Sequence, residues 1–437
     1  MFPDRNFEYL SLGRTHFLAV FGYTLALCWI YAVEIVPVWS YMGFDGGLSS
    51  IGLMKAFVLT MPLPYLVRVG KMAHELIFVS CIYLFFIPTA VYISLSESGL
   101  KNEIAYVVSV LLIFLSTQIK FELPKIFELD KNIFIYSIFS LILIAIGSQA
   151  YFGGLSNFSL DIERVYEFRR ETAENLPTIF AYVYSNVASV LLPFMLVVSF
   201  IRKNYYHFFA TIIFTIILFG MSHHKSVLFG PPAALLLYIA FSNSKLFKFF
   251  PIIFILIPAI SIIEIFYVKI FGDFDDIAYI TSLIVRRVLF VPAMLDAKYI
   301  EFFSSNPYFY WSSSRLFSWA INSGYNLAAP FLIGYEYFSD LDTSANTGII
   351  GSGYSNAGIY GVAIYSSLCG ILLSFFRAIG NKIGHEFAAS VSFIAFFNVI
   401  SSTDLLTAFL THGLLLLIIV LFLSSSDLSS PKYKEIT

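Results

Sequence analysis

Charged residues are scarce in this sequence. Lys, Arg, Asp and Glu make up 12% of its 437 residues, whereas hydrophobic residues make up 58%. Soluble globular proteins are about 25% charged, so the composition excludes a soluble fold of this length. The formal net charge is only −2, and it gives no electrostatic reason to expect nucleic acid as a partner.

Cysteine is also scarce, because the chain has only Cys28, Cys81 and Cys369, each inside an apolar run. Isolated cysteines of this kind are typical of small core side chains, and they predict neither a disulfide framework nor a metal site.

A signal-peptide cleavage site is also lacking. The charged N-terminus is followed by a long apolar run without a small-residue cleavage motif, so we interpret that run as a membrane helix and not as a signal peptide.

Long apolar segments dominate the rest of the sequence. A helix needs about 20 apolar residues to cross a bilayer core of roughly 30 Å. On this measure residues 1–437 form one all-α, polytopic membrane domain. About twelve transmembrane helices are predicted, near residues 15–38, 49–67, 76–95, 104–119, 133–153, 177–200, 207–222, 226–242, 251–271, 357–379, 387–403 and 405–424.

The basic residues of the short loops predict an orientation. If the N-terminus is cytoplasmic, every inner loop holds at least two Lys or Arg residues, whereas the short outer turns hold only Lys101 and Lys225. Cytoplasmic loops are enriched in Lys and Arg, so we predict that both termini lie in the cytoplasm. Two outer segments are longer than the other outer turns, residues 154–176 and 272–356. The second is rich in aromatic residues and long enough to be functional, and we expect it to be ordered.

Three arginines lie in the first outer segment, at Arg164, Arg169 and Arg170, among five acidic residues. One interpretation is a solvated helix in which the arginines pair with the glutamates three or four residues away. The other is an arginine cluster that binds an anion, because the planar guanidinium suits bidentate contact with phosphate oxygens. Both interpretations stay open at this point.

The second outer segment contains the adjacent Arg286 and Arg287 in an otherwise apolar run. Neither has an acidic residue at helical spacing, and burial of an unpaired charge is costly. They therefore need an anion, either from elsewhere in the fold or from a ligand. The alternative is that their long side chains extend to the lipid headgroups.

The turn at His223, His224 and Lys225 is basic although it lies on the predicted outer side. Lys225 is a candidate phosphate ligand, and either histidine is a candidate base near neutral pH. A contact with lipid headgroups would equally explain the turn. A zinc site is not predicted, because the i, i+4 spacing and a third ligand are missing.

A glycine-rich stretch from Ala345 to Gly358 leads into a predicted membrane helix, and it contains Asn346, Tyr354 and Asn356. Glycines permit close backbone approach, and a helix N-terminus favours an anion or a sugar hydroxyl. Glycines are also common where membrane helices pack.

The charged residues inside or at the ends of predicted spans are interpreted as structural: Glu34, Lys55, Glu264 and Lys269.

The order of these features resembles the O-antigen polymerases (the Wzy type) of Gram-negative bacteria. The shared order is an arginine-bearing outer loop, a basic outer turn, a long outer loop that opens with Arg-Arg…Pro, and Asn-Thr-Gly…Gly-Tyr-Ser-Asn-Ala-Gly entering a helix. The likeness covers nearly the whole chain in topology. In sequence it is concentrated at residues 164–170, 221–226, 282–303 and 345–361.

The resemblance implies a helical glycosyltransferase fold of the C type in the bacterial inner membrane, with the active site facing the periplasm. Such an enzyme transfers a growing glycan from undecaprenyl pyrophosphate to the non-reducing end of an incoming lipid-linked repeat, in lipopolysaccharide biosynthesis. No metal or cofactor is expected. The implied partners are the undecaprenyl-pyrophosphate-linked oligosaccharide, membrane lipids and a chain-length regulator.

That reaction matches the chemistry of the residues. Fixed guanidinium groups stabilise the charge that develops on a pyrophosphate leaving group, which makes Arg286 and Arg287 catalytic candidates. The acceptor hydroxyl needs orientation and a base, for which the candidates are His223, His224, Glu336, Asp340 and Asp404. Aromatic residues of the long loop either stack on sugars or serve in packing, and packing is the better interpretation for each one singly: Tyr299, Tyr308, Tyr310, Trp311, Trp319 and Tyr325.

Three alternatives remain at the level of sequence. An O-antigen ligase would share the topology, the carrier and the arginines, and the Asn-Thr-Gly…Tyr-Ser-Asn stretch favours the polymerase. A flippase or another transporter of the lipid-linked oligosaccharide would place ionisable residues in mid-membrane and show repeated halves, and neither feature is clear. A scaffolding protein would not need arginines without acidic partners.

Overall fold

A computed structural model describes residues 5–67, 69–124, 130–156, 158–161, 176–243, 246–247, 249–272, 277–314, 317, 319 and 324–424. Within these ranges the chain forms helices and no β-strand. Eight of the helices are long and apolar enough to cross a membrane. The chain is therefore a polytopic helical membrane protein, as its composition predicts.

The eight long helices are α1 (Arg14–Met42), α3 (Ala73–Leu95), α5 (Asn132–Gly154), α6 (Thr178–Ile201), α7 (Tyr205–Ser222), α8 (Lys225–Ser242), α9 (Phe250–Phe271) and α12 (Ile349–Ile383). Four shorter apolar helices are α2 (Ser50–Leu66), α4 (Leu100–Ser116), α13 (His385–Ser401) and α15 (Leu414–Ser424). The others are α10 (Thr281–Phe290 continuing as Val291–Phe303), α11 (Ala329–Phe338) and α14 (Leu405–Leu410).

Two boundaries differ from the sequence prediction. Helices overlap all the predicted spans, but the segment 405–424 is divided between α14 and α15. Gly413 lies between them with a φ of 88°, a conformation that favours glycine. The span predicted at 357–379 begins eight residues earlier, at Ile349, because the glycine-rich stretch is itself helical.

Several helices contain a π-helical stretch that is followed at once by a proline. The stretches end just before Val36-Pro37, Ile87-Pro88, Leu192-Pro193 and Val291-Pro292. Proline has no N–H and its ring displaces the carbonyl one turn earlier, so the regular i to i−4 ladder is interrupted there. A local π-helical turn accommodates that interruption within an otherwise continuous helix.

Helix α12 lies at the centre of the packing, where it contacts α4, α10, α13 and α3. Its small residues allow close approach, since a Cβ atom at Gly370 would lie 2.4 Å from the Ile113 carbonyl oxygen of α4. Without a hydrophobic driving force inside lipid, helices associate through such van der Waals contact between backbones.

The loops meet at two ends of the molecule. At one end, Gly47 N donates to the Leu95 carbonyl (3.0 Å) and Ser159 N donates to the Gly220 carbonyl (3.0 Å). We call this the long-segment end, because it carries the described residues between 277 and 348. At the opposite end, Arg377 Nη2 donates to the Ile119 carbonyl (2.7 Å).

Candidate functional site

The start of α10 is held in place by Glu264 of α9. Its carboxylate accepts hydrogen bonds from the backbone N–H groups of Ile280 and Thr281, both at 2.7 Å, and from Thr281 Oγ1 at 2.8 Å. A carboxylate at a helix N-terminus satisfies otherwise unpaired donors and complements the helix dipole. Glu264 therefore fixes where α10 begins, and with it the position of the two arginines that follow.

Arg286 is buried on α10, with 8% of its surface exposed. Its guanidinium lies 3.9 Å above the ring centroid of Trp39. Nε and Nη2 donate to Ser282 Oγ at 3.2 and 3.0 Å, and Nη1 lies 3.3 Å from Met42 Sδ. Burial lowers the pKa of Arg286 from its ordinary value, and the charge of Arg287 lowers it further; an arginine nevertheless stays protonated in proteins.

Neither Arg286 nor Arg287 forms an ion pair with a carboxylate of the described residues. The Arg287 side chain is exposed. By contrast, the charged residues that the sequence assigns to structural roles do have partners: Lys55 Nζ lies 2.6 Å from Glu103, and Lys269 Nζ lies 4.0 Å from Glu34. A buried cation that is stabilised only by neutral groups and an aromatic face retains a strong preference for an added anion.

Asp296 lies ten residues further along α10 and is fully enclosed. Its Oδ1 accepts hydrogen bonds from Gly351 N at 2.8 Å and from Thr347 Oγ1. Its Oδ2 has no hydrogen-bond partner among the described residues. Burial raises the pKa of Asp296 to about 7, against the opposing effect of those two donors. The carboxyl therefore joins α10 to the beginning of α12, where backbone N–H groups are otherwise unpaired.

Helix α12 begins with a short buried section and then breaks. Residues 349–356 are all buried, and the helix is interrupted at Ala357 (φ −156°, ψ 33°) and Gly358 (φ 59°, ψ −141°). Gly353 and Gly361 pack against each other across the break, since a Cβ at Gly361 would lie 1.9 Å from the Gly353 carbonyl oxygen. The glycines therefore serve close backbone approach, as the sequence predicts.

A turn that follows α10 binds the backbone at this break. Phe309 N donates to the Ser355 carbonyl (2.8 Å), Tyr310 N donates to the Asn356 carbonyl (3.0 Å), and Trp311 N donates to Asn356 Oδ1 (2.8 Å). Tyr310 and Trp311 have positive φ angles of 47° and 63°, which bulky side chains rarely adopt. These hydrogen bonds offset the strain, and strained backbone of this kind concentrates at functional sites.

The break connects to Asp404 through Tyr365. The Tyr365 hydroxyl accepts from Trp311 Nε1 (3.1 Å), lies 3.4 Å from Asn356 Nδ2, and donates to Asp404 Oδ2 (2.8 Å). Asp404 Oδ1 in turn accepts from the N–H (3.0 Å) and Oγ1 (3.2 Å) of Thr407, and so caps α14. The sequence candidates Asn356 and Asp404 therefore belong to one hydrogen-bonded network.

An open groove adjoins this network at the long-segment end. It has a volume of about 370 Å³ and lies between the start of α6, the residues after Trp311, and the segment around α14. Thr407, the partner of Asp404, is one of its lining residues. The residues that line it are Thr178, Ala181, Tyr182, Ser185, Ser313, Ser314, Thr407, Leu410, Thr411 and His412.

The remaining sequence candidates from α10 and the glycine-rich stretch are Tyr299, Tyr354 and Asn346, and each forms a polar contact within or between these segments. Tyr299 is buried and donates to the Ala345 carbonyl (2.9 Å). The Tyr354 hydroxyl lies 3.1 Å from Ser304 Oγ. Asn346 is exposed, and its Oδ1 accepts from Ser344 Oγ (3.2 Å). Of these candidates, Asn346 is the one whose side chain faces outward.

The histidine turn lies between α7 and α8. His223 is buried, has a φ of 57° and caps α7 by donating from its N–H to the Phe219 carbonyl (2.8 Å). The ring of His224 lies 5.7 Å from that of Tyr184 on α6, and Lys225 begins α8. This turn therefore packs on α6, whereas the network around Asp404 is built from α12, α14 and the turn after α10.

Three candidates lie outside the described residues: Arg164, Arg169 and Arg170. Of the remaining candidate bases, Glu336 is exposed on α11, and Asp340 accepts from Asp342 N (2.9 Å) and Thr343 Oγ1 (2.7 Å) in a local turn. Among the described residues, no three His, Cys, Asp or Glu side chains are grouped so that they would hold a metal ion.

The sequence alone does not reveal that Asp296, Trp311 and Tyr365 belong to polar networks. Asp296 offered a signal, because it is an acidic residue directly after the apolar run at residues 288–295. Tyr365 offered none, since it is one of 28 tyrosines. Comparison with protein-family models, with curated proteins and with solved structures finds no match. The function must therefore be argued from the site.

Proposed function

We propose that this chain is a polymerase of lipid-linked O-antigen repeat units. It transfers the growing glycan from undecaprenyl pyrophosphate to the non-reducing end of an incoming lipid-linked repeat. In this proposal the helices provide about twelve membrane spans in a C-type glycosyltransferase fold. Both termini are cytoplasmic, and the long-segment end faces the periplasm. A chain-length regulator acts as a partner.

The observation that carries the proposal is the buried guanidinium of Arg286. It has no carboxylate partner among the described residues, it is held rigidly by Trp39 and Ser282, and Arg287 adds a second positive charge beside it. A preorganised cation in a partly dry site stabilises negative charge more strongly than water does. A pyrophosphate leaving group is an anion of the kind that this arrangement would stabilise.

Asp404 is the base that the geometry favours among the candidates. The carboxylate is half-buried, is oriented by hydrogen bonds from Tyr365 and Thr407, and adjoins the groove through Thr407. Each carboxylate oxygen has two acceptor sites, so a substrate hydroxyl can bind in addition to the present partners. Glu336 is exposed, and Asp340 is engaged in its own turn.

The proposed reaction is a displacement at the anomeric carbon of the donor glycan. The acceptor hydroxyl forms a new bond to that carbon and gives its proton to Asp404. The bond from the carbon to the pyrophosphate oxygen breaks, and the electron pair leaves with the lipid pyrophosphate beside Arg286 and Arg287. Charge stabilisation and base catalysis are the two contributions that the chain supplies.

Deletion of the gene tests the proposal in the cell. Gel electrophoresis of lipopolysaccharide is expected to show a lipid A core that carries a single repeat, because ligation continues without extension. Bare core with polymer retained on the lipid carrier would instead indicate a ligase. Bare core with only unextended repeats trapped inside would indicate a flippase, and an unchanged glycan would contradict all three assignments.

A further inference from the structure

The groove beside Asp404 has a lining that is rich in hydroxyl groups and, among the residues that the structure describes, contains His412 but no Lys, Arg, Asp or Glu. Six serine and threonine side chains and one tyrosine contribute to it from α6, from the turn after Trp311 and from the segment around α14, namely Thr178, Tyr182, Ser185, Ser313, Ser314, Thr407 and Thr411. Its volume of about 370 Å³ lies within the range of small-molecule sites, which is roughly 300–1,000 Å³.

The segments that line the groove are held in place by contacts with residues outside the groove. Ser313 and Ser314 follow Trp311, whose backbone and indole N–H groups are both bound to the network of α12. Thr407 donates to Asp404 from its backbone and its side chain. The opposite wall is α6, whose first turn begins at Thr178. The hydroxyl groups are therefore presented by elements whose positions are already determined, which reduces the entropy lost on binding.

We propose that this groove binds the sugar of the acceptor repeat and presents one of its hydroxyls to Asp404. This assignment rests on the proposed function and specifies where one of the two substrates lies. Neutral sugars carry many hydroxyl groups that both donate and accept hydrogen bonds, and Ser and Thr hydroxyls do the same. The acceptor hydroxyl reaches Asp404 at the Thr407 edge of the groove.

The lining distinguishes a sugar from the other parts of the substrates. A pyrophosphate requires cations, and Arg286 and Arg287 lie on α10, not among the described lining residues of the groove. The lining is mixed, because apolar carbon surface accompanies its hydroxyl groups, and a sugar ring likewise presents both C–H and hydroxyl surface. The uncharged, polyhydroxylated part of the substrate is the part whose chemistry fits.

The experiment measures binding of the free repeat oligosaccharide to the purified full-length chain in lipid nanodiscs. The probe is the repeat unit released from its lipid carrier by mild acid, so that it has neither pyrophosphate nor lipid. Ser313→Trp and Thr178→Trp place a large ring in the groove from exposed positions. Ser305→Trp is the matched control, because Ser305 is exposed near the same end and does not line the groove.

Both groove variants are expected to weaken binding of the repeat at least tenfold, and the control is expected to bind like the wild type. Wild-type affinity in both groove variants would overturn the assignment, as would displacement of the repeat by inorganic pyrophosphate.

The binding result can be distinguished from the result of the gene deletion. Normal binding by the groove variants together with single-repeat lipopolysaccharide in the deletion strain would refute the groove and retain the polymerase. Lost binding together with unchanged lipopolysaccharide would support the sugar groove and refute the polymerase.

Discussion

The hydroxyl of Tyr365 donates a hydrogen bond of 2.8 Å to Oδ2 of Asp404. Tyr365 lies within α12, and Asp404 caps α14, so this bond joins a membrane-embedded helix to the edge of the groove. Because the same hydroxyl accepts from Trp311 Nε1, it also ties the turn after α10 to Asp404. One phenol therefore links α12 to the turn after α10 and to Asp404, both of which adjoin the proposed acceptor site.

Substitution of Asp404 tests the proposed base. Asp404→Asn keeps an acceptor oxygen for Thr407 but cannot take a proton, so chain extension is expected to slow by about 10²–10⁴-fold. The measurement is the rate at which the glycan ladder lengthens in membranes that contain equal amounts of each variant. Glu336→Gln is the matched control, because this carboxylate is exposed on α11. Full extension by Asp404→Asn would exclude the residue as the base.

Removal of Arg286 or Arg287 tests the pyrophosphate contact. Arg286→Ala and Arg287→Ala are each expected to abolish chain extension while membrane insertion stays intact, because a preorganised cation near the leaving group is lost. Arg286→Lys keeps the charge but lacks the planar fork, and it is expected to retain partial activity. Lys101→Ala removes an exposed cation at the start of α4 and serves as control. Long glycan from both alanine variants would refute the contact.

The raised pKa of Asp296 predicts that the free energy of unfolding depends on pH. Its pKa is raised to about 7 in the folded protein, so the folded state holds the proton more tightly than the unfolded chain does. As pH rises from about 4 to about 7, the unfolded chain releases the proton first, and this residue's contribution to stability falls by roughly 1.4 kcal/mol per pH unit. Below and above this window the contribution is constant.

The check on Asp296 is the thermal unfolding temperature of the detergent-solubilised protein as a function of pH. Asp296→Asn retains an oxygen for Thr347 and Gly351 but does not titrate. The variant is therefore expected to gain stability relative to the wild type as pH rises from 4 to 7. Parallel curves for the two proteins across that window would contradict the assigned pKa.

Replacement of Gly348 is expected to disturb the packing of α12 against α13. A Cβ at this position would lie 1.8 Å from the Ile400 carbonyl oxygen, so the start of α12 would have to move away from α13. Gly348→Ala is expected to destabilise the protein by about 1–3 kcal/mol, observed as a lower unfolding temperature. Gly99→Ala is the control, because a Cβ there meets nothing within 4 Å. Equal unfolding temperatures for the two variants would show that the contact is not tight.

A chelator provides a further test of the proposed chemistry. The charge on the leaving group is assigned to arginines, so activity is expected to be unchanged when divalent metals are removed from the membranes. The measurement compares ladder length with and without chelator at constant ionic strength, since salt also weakens arginine–phosphate contacts. Strict dependence on added magnesium would overturn the arginine mechanism.

The sequence was sufficient for the helical membrane class, because apolar length is a local property of the chain. It was insufficient for α12, where the helix begins at Ile349 instead of residue 357. Glycines weaken the helical signal, but here they are favoured by packing against Ile400 and between the two sections of α12. That contact joins residues distant in sequence, and no local pattern reports it.

Asp404 and Asn356 could be identified from sequence as polar residues near helix ends, but their connection could not. The connection depends on Tyr365, which lies inside an apolar span, and on Trp311, which has an unfavourable positive φ. Asp296 was visible in the sequence only as an acid downstream of the arginines. Its burial against Thr347 and Gly351 follows from the packing of α10 on α12, which is a tertiary relationship.

The most direct test is reconstitution of the purified chain in lipid nanodiscs with undecaprenyl-pyrophosphate-linked repeat as the sole substrate. The expected result is a ladder of lipid-linked glycans that lengthens with time, is lost in Asp404→Asn and Arg286→Ala, and forms in the presence of chelator. Failure of the wild-type chain to extend the repeat, in membranes where the repeat is otherwise polymerised, would contradict the assignment of this chain as the polymerase.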